Sequence, residues 1–225
     1  MIHDKVTDWF INRKMLFLER FISEHCIQGK SLDVGCNYGF FSEYLAKIGF
    51  NSYGIDIKKE YFPKKGKAHY SMQSAEKMNF KDESFDLIIC FDTIEHIKDK
   101  EDALSEIRRV LKKDGFFICT VPNIFSYFYM RSFLTFGLRG YDIFNNVHYQ
   151  RTLWDWTKLL KQYFEIIEIK PILSIPFVEP KLVSQSFLND FEYNKQFLSW
   201  INSDPMIICK KKCKVCRLWE IEHLK

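Results

Sequence analysis

No run of 18 apolar residues occurs in the sequence, so no stretch of it is expected to cross a bilayer as a helix. Met1 to Arg20 is studded with charges, which is not the charged-then-apolar pattern of a secretory signal. A strong charge of one sign is also missing. Lys and Arg number 33 against 29 Asp and Glu, and the net charge of +4 is too small to require a nucleic-acid partner. An even set of cysteines is missing as well. The seven (26, 36, 90, 119, 209, 213 and 216) are odd in number, and several fall in stretches that read as buried strands. Reduced thiols in a cytoplasmic protein are expected, not a disulfide scaffold. Finally, there is no G-x-G-x-x-G: after Gly35 the third position of the turn is Asn37, and glycine returns only at Gly39. A side chain at position 37 crowds a pyrophosphate, which argues against a dinucleotide site.

What the chain does contain is enough apolar material for one full core. Its 225 residues are 47% hydrophobic, so one globular domain with small additions is expected. Aromatics reach 17%, with 22 Phe, which points either to a Phe-rich core or to an aromatic pocket or cover. The boundaries read as an N-terminal helical extension over 1–27, a main domain over 28–212 and a basic tail over 213–225.

The centre of the pattern is Ser31-Leu-Asp-Val-Gly-Cys-Asn-Tyr-Gly-Phe-Phe-Ser42. Leu32 and Val34 are strand formers, Gly35 and Gly39 bracket a turn, and Phe40, Phe41, Tyr44, Leu45 and Ile48 share one helical face. A second apolar strand, Tyr53-Gly-Ile-Asp56, ends on a carboxylate. A glycine turn after one strand and a carboxylate at the end of the next is the layout of a Rossmann-type nucleoside site. Upstream, residues 4–25 are amphipathic through Trp9, Phe10, Leu16, Phe17 and Phe21. They read as one or two helices packed on the domain edge, or as a lid.

Downstream, His69–Met72 reads as strand three. Phe85–Phe91 is a continuous apolar run, as in a strand buried on both faces. Ala103, Leu104, Ile107, Val110 and Leu111 mark a one-faced helix that Gly115 is expected to cap. Phe116–Val121 is strand five and Pro122 stops it. Ile124 to Phe144 is irregular and holds eight aromatics, with Arg131, Gly137, Arg139 and Gly140 interspersed. An insertion at 123–150, just after strand five, falls at the edge of the sheet where such folds bind ligands, and is read as a substrate cover. Thr152-x-x-Asp155 opens a helix in capping-box style. Phe164–Ile169 is strand six, Leu182–Ile201 a helix, and Met206–Cys209 strand seven. Alternating strands and helices make an α/β, doubly wound, Rossmann-like sheet with helices on both faces.

Leu32-Asp-Val-Gly-Cys-x-x-Gly39 resembles the first motif of the class I S-adenosylmethionine-dependent methyltransferases, with Asn37 where members often carry glycine. Ser74-Ala-Glu-Lys-Met-Asn-Phe80, the Phe85-Asp-Leu-Ile strand, Glu95-His96 and Glu106-x-x-Arg109-Val-Leu-Lys-x-x-Gly115 resemble, in order, further motifs of one subfamily (type 11) that acts mostly on small molecules. The resemblance covers residues 31–122. It implies a seven-stranded sheet, mostly parallel with an antiparallel last strand, and S-adenosyl-L-methionine as cofactor. On it, the turn Asp33, Gly35, Cys36, Asn37 and Gly39 faces the methionine portion. Asp56, with Ile57 beside it, takes the ribose, and Ser74, Ala75, Glu76 and Phe91 surround the adenine. Ser74 stands where members often have Asp.

Methyl transfer from a sulfonium is an in-line displacement and requires neither a metal nor a covalent intermediate. For a hydroxyl acceptor, a histidine base suits neutral pH, and His148 and His96 are the candidates, His148 the favoured one. Either histidine could instead be structural. Cys209-x3-Cys213-x2-Cys216 has the spacing of an iron–sulfur motif, but it follows a last strand instead of lying on a barrel-mouth loop, so no metal is expected. The function implied is methylation of a small acceptor, a hydroxyl of an apolar, lipid-linked or glycan-type metabolite. A tRNA-modifying methyltransferase and a catalytically silent cofactor-binding partner are the alternatives.

Overall fold

The structure, a computed structural model, describes residues 2–123, 151–170 and 205–211, with side chains from Ile11 onward. A single helix, α1 (Ile2–Glu24), comes first. Its inner face buries Leu18 and Phe21 together with Arg13 and Lys14. It ends where Cys26 takes a left-handed φ of 49°. There follow β1 (Lys30–Val34), α2 (Phe40–Lys47), β2 (Asn51–Asp56), β3 (His69–Met72), β4 (Phe85–Cys90), α3 (Lys100–Val110), β5 (Leu111–Thr120), α4 (Leu153–Tyr163), β6 (Phe164–Lys170) and β7 (Met206–Lys211).

The seven strands form one sheet in the order β3-β2-β1-β4-β5-β7-β6. Pairs β1–β2, β1–β4, β2–β3 and β4–β5 are parallel, while β7 runs antiparallel to both β5 and β6. The sheet is therefore mostly parallel with an antiparallel last strand, as expected. From β1 the chain winds outward to β3, then returns to β4 on the other side of β1. That reversal opens a crevice at the C-terminal ends of β1 and β4, where doubly wound sheets hold their ligands.

Each face of the sheet carries its own core. Leu32, Val34, Ile88, Cys90, Phe117 and Cys119 point to one face, against Ala103, Leu104 and Ile107 of α3 and Trp156 and Leu160 of α4. Leu87, Ile89, Phe116, Ile118 and Ile208 point to the other, against Leu18 and Phe21 of α1 and Leu45 of α2. The continuous apolar run of β4 thus reflects burial from both sides.

The junction between α3 and β5 differs from the sequence expectation. The helix stops at Val110, and Leu111 already pairs with Phe85, so β5 begins five residues before Phe116. Gly115 is not a helix cap and has no positive φ. It sits in a strand whose register shifts. A Cβ there would lie 3.1 Å from the carbonyl oxygen of Phe85 and 3.0 Å from that of Asp86. Close approach of the neighbouring strand and of the Leu111 side chain, at 2.8 Å, favours glycine there, not handedness. The capping box of α4 is present: Thr152 Oγ1 accepts from the Asp155 N–H, and Asp155 Oδ2 accepts from the Thr152 N–H, each at 3.1 Å. The expected helix over 182–201, the insertion from Ile124 to Gln150 with His148, and Cys213 and Cys216 lie outside the described residues. Among the described residues, no helix is long and apolar enough to cross a membrane.

Candidate functional site

The turn after β1 is built from its backbone outward. Gly35 has a φ of 76°, and a Cβ on it would meet the Thr93 methyl at 2.2 Å. No L side chain fits there, in conformation or in space. The N–H groups of Gly35 and Cys36 both donate to the Ile55 carbonyl, at 2.8 and 3.0 Å, which joins the turn to β2. Asn37 then takes a left-handed φ of 45°, a conformation asparagine tolerates better than most residues. Gly39, also left-handed, opens α2.

Asp56, at the end of β2, closes the turn from the side. Its Oδ2 accepts from the Asn37 N–H and its Oδ1 from the Lys58 N–H, both at 3.0 Å. A carboxylate has about four acceptor positions, so each oxygen keeps capacity for a ligand hydroxyl. Ile57, next in the chain, is 67% exposed beside it. Asp33 lies beneath the turn, buried, and accepts a 2.7 Å hydrogen bond from Ser42 Oγ of α2. Burial pushes its carboxyl up to about 7. The Ser42 hydrogen bond opposes that rise, and the nearby Asp56 charge adds to it. Cys36 is buried among the same carboxylates, and burial pushes its thiol well up. It is not a reactive nucleophile.

Ser74, Ala75 and Glu76 follow β3. The Gln73 N–H bonds to the Asp56 carbonyl at 3.0 Å, so this segment is tied to the carboxylate-bearing end of β2. Ser74 Oγ donates to Glu76 Oε2 at 2.8 Å, and Glu76 Oε1 accepts from the Asp99 N–H at 3.0 Å. These bonds hold the Glu76 carboxyl below the usual range, the Asp99 N–H contributing most. Ala75 is buried. Phe91, one residue past β4, is buried edge-on against Phe41, with centroids 4.9 Å apart. His96 is exposed on a short turn of 3₁₀ helix, Ile94–His96, with Nε2 4.0 Å from Glu95 Oε1.

The C-terminal ends of β1, β2, β3 and β4 thus supply the site residues within the described structure. Three further residues meet them there without a sequence signal. Asp92 carries a left-handed φ of 48°, Thr93 packs into the gap at Gly35, and Lys14 reaches in from α1 to pair with Asp92. Ser42 was legible in principle, as a small polar residue on the inner side of α2. Lys14 and Asp92 are 78 residues apart, and no local pattern links them. Among the described residues, no group of three or more His, Cys, Asp or Glu is placed to hold a metal ion.

Comparison with known proteins shows what this arrangement is similar to. The family described as "Methyltransferase domain" matches residues 32–119, from the first strand to the end of β5. Residues 32–119 are thus similar to the class I methyltransferases of the type 11 family. S-adenosylmethionine is the cofactor such a domain takes.

A ubiquinone biosynthesis O-methyltransferase of Pelagibacter ubique is 33% identical to this chain over 100 residues, 41% of this chain and 42% of that protein. An uncharacterised protein of Methanocaldococcus jannaschii is 39% identical over 120 residues, 51% of this chain and 46% of that one. The chain therefore spans under half the length of these relatives. A crystal structure of a SAM-dependent methyltransferase from Archaeoglobus fulgidus shares the fold, with a TM-score of 0.62 and 20% identity over 89% of this chain and 94% of that one. A Thermotoga maritima SAM-dependent methyltransferase aligns equally well, with a TM-score of 0.62 and 21% identity over 93% and 95% of the two chains.

Proposed function

We propose that the chain is an S-adenosylmethionine-dependent methyltransferase that transfers its methyl group to a hydroxyl of a small molecule. The observation that carries the cofactor site is the coupling of the glycine turn to Asp56. One carboxylate fixes the Asn37 N–H and keeps acceptor capacity for ribose hydroxyls. In this reading the turn from Asp33 to Gly39 lies under the methionine portion. Ile57, Ser74, Ala75, Glu76 and Phe91 form the adenine wall. The cofactor supplies the transferable methyl, and the leaving group is already good, so the protein's part is alignment and exclusion of water.

The acceptor's place follows from chain direction. β5 ends at Thr120, and Asn123 and Thr152 meet again at the C-terminal edge. There Trp156 Nε1 donates to the Pro122 carbonyl at 3.0 Å, and the Leu153 N–H donates to Asn123 Oδ1. Both ends of the aromatic insertion are anchored at the ligand edge, which supports its reading as the acceptor cover. The O-methyltransferase activity of the ubiquinone-pathway relatives supports a hydroxyl acceptor. His148, within the insertion, is the proposed general base, with His96 as the alternative.

Calorimetry with S-adenosylhomocysteine and with NAD tests the cofactor. We expect binding of the first and none of the second, and heat from NAD alone overturns the reading. Asp56→Ala should weaken S-adenosylhomocysteine by about 1–3 kcal/mol, the range for a hydrogen bond to a charged group. Turnover in a metabolite-extract screen then identifies the acceptor. With it, His148→Ala should slow transfer at least roughly tenfold at unchanged cofactor affinity, a positioned base contributing typically about 10²–10⁴-fold. An unchanged rate with a large loss for His96→Ala moves the role to His96.

A further inference from the structure

Helix α1 lies outside the matched domain, yet it reaches into the site. Lys14 keeps only 4% of its side chain exposed, while its partner Asp92 is 57% exposed. The ammonium pairs with Asp92 Oδ2 and lies 5.6 Å from the centroid of the Phe91 ring. Asp92 is in the left-handed region, which strains a non-glycine residue and persists only where its surroundings hold it. Three elements hold it. Lys14 comes from α1. Thr120 of β5 accepts from the Asp92 N–H and donates to its Oδ1, both at 2.8 Å. Thr93, next in the chain, donates to the Phe91 carbonyl at 2.8 Å and places its methyl in the space Gly35 leaves open. A buried ammonium is costly unless paired, and this one is paired at the β1–β4 crevice.

We propose that Lys14 is a positioning residue of the ligand site. By pairing with Asp92 and roofing Phe91 it docks α1 over the crevice. It also holds Asp92 and Thr93 against the glycine turn, so docking of α1 and ligand binding form one coupled event. The inference rests on the reading of the crevice as the cofactor site.

The test needs no acceptor. S-adenosylhomocysteine is titrated into the full-length wild type, Lys14→Met, Lys14→Arg, Asp92→Asn and the Lys14→Met/Asp92→Asn double variant, and amide exchange of α1 is followed with and without ligand. Lys14→Met and Asp92→Asn should each weaken binding roughly 3- to 30-fold, within the span of couplings between contacting residues, and the double variant should be no weaker than the worse single one. Lys14→Arg, which keeps the charge, should recover most of the affinity. In the wild type the ligand should slow exchange along α1, and in Lys14→Met it should not. Wild-type affinity in Lys14→Met, or α1 exchange in the wild type that the ligand leaves unchanged, overturns the proposal. Should Lys14→Met not fold, Asp92→Asn breaks the same pair from its exposed side and decides in the same way. Wild-type protein that binds no S-adenosylhomocysteine overturns the reading of the crevice itself, and the coupling with it.

Discussion

At the scale of single residues, the two carboxylates of the site are in opposite situations. Asp56 meets two backbone N–H groups at the surface end of its strand. Asp33 is enclosed, with Ser42 as its hydrogen-bond donor, and its carboxyl is pushed up to about 7. An unfolded aspartate titrates near about 3.9. Between those values the folded protein holds a proton that the unfolded chain releases. Stability at Asp33 is therefore fullest below about pH 4 and falls as pH rises towards 7, the reverse of a salt-bridged aspartate. Asp33→Asn keeps an acceptor for Ser42 and removes the titration. Urea unfolding at a series of pH values should show the wild type losing stability relative to Asp33→Asn from about pH 4 to 7, by on the order of a few kcal/mol at most. Contributions of carboxylates that do not interact with Asp33 cancel in that difference. Parallel curves for the two proteins would falsify the assignment. Asp56 was legible from its place at the end of an apolar strand, and the turn from its two glycines. The depth of Asp33 was not, because it depends on which residue of α2 packs above it.

At the scale of elements, the sequence signals that held were those set by local chemistry or by burial on both faces. β4 reads as an unbroken apolar run, and Thr152 with Asp155 forms the expected capping box. The end of α3 was misread for a physical reason. Val110 and Leu111 are both apolar and both fully buried, so the pattern runs on across the boundary. What stops the helix is the pairing of Leu111 with Phe85, a tertiary partner that no local window contains. The two accounts of Gly115 predict different mutants. At a left-handed helix cap, Asn is the best replacement for Gly. At a close strand approach the smallest side chain is the least harmful. Gly115→Ala should therefore destabilise by about 1–3 kcal/mol, the range for overpacking, and Gly115→Asn should be worse than Ala. Denaturant midpoints of the two variants check the order. Asn above Ala would restore the helix cap.

At the scale of the whole molecule, the cysteines report how the fold opens. Cys90 and Cys119 are opposite one another in β4 and β5, and Cys209 of β7 pairs with Phe117, two residues before Cys119 in β5. All three are fully buried, and burial raises each thiol well above its ordinary value. They span the centre of the sheet, so a reagent reaches them only when the sheet itself comes apart. Cys26 is exposed at the end of α1. Cys36 occupies a third position, buried in the glycine turn at 6% exposure, where only the turn has to loosen. Labelling rates of these five described cysteines should therefore fall into three classes. Cys26 should react at the rate of a free thiol. Cys36 should react through local opening, more slowly. Cys90, Cys119 and Cys209 should react together, at the rate set by global unfolding. S-adenosylhomocysteine should slow the last two classes alike. In the proposed reading it binds across the turn, so at 100 times its dissociation constant it should suppress opening by up to about 2.7 kcal/mol, roughly a hundredfold. Global unfolding releases the ligand too, so Cys36 and the sheet cysteines should both slow, while Cys26 should not change. Mass spectrometry of the alkylated peptides resolves each site. A Cys36 rate indifferent to the ligand would mean that the turn opens without disturbing the bound cofactor, which is incompatible with a site built on the turn and Asp56.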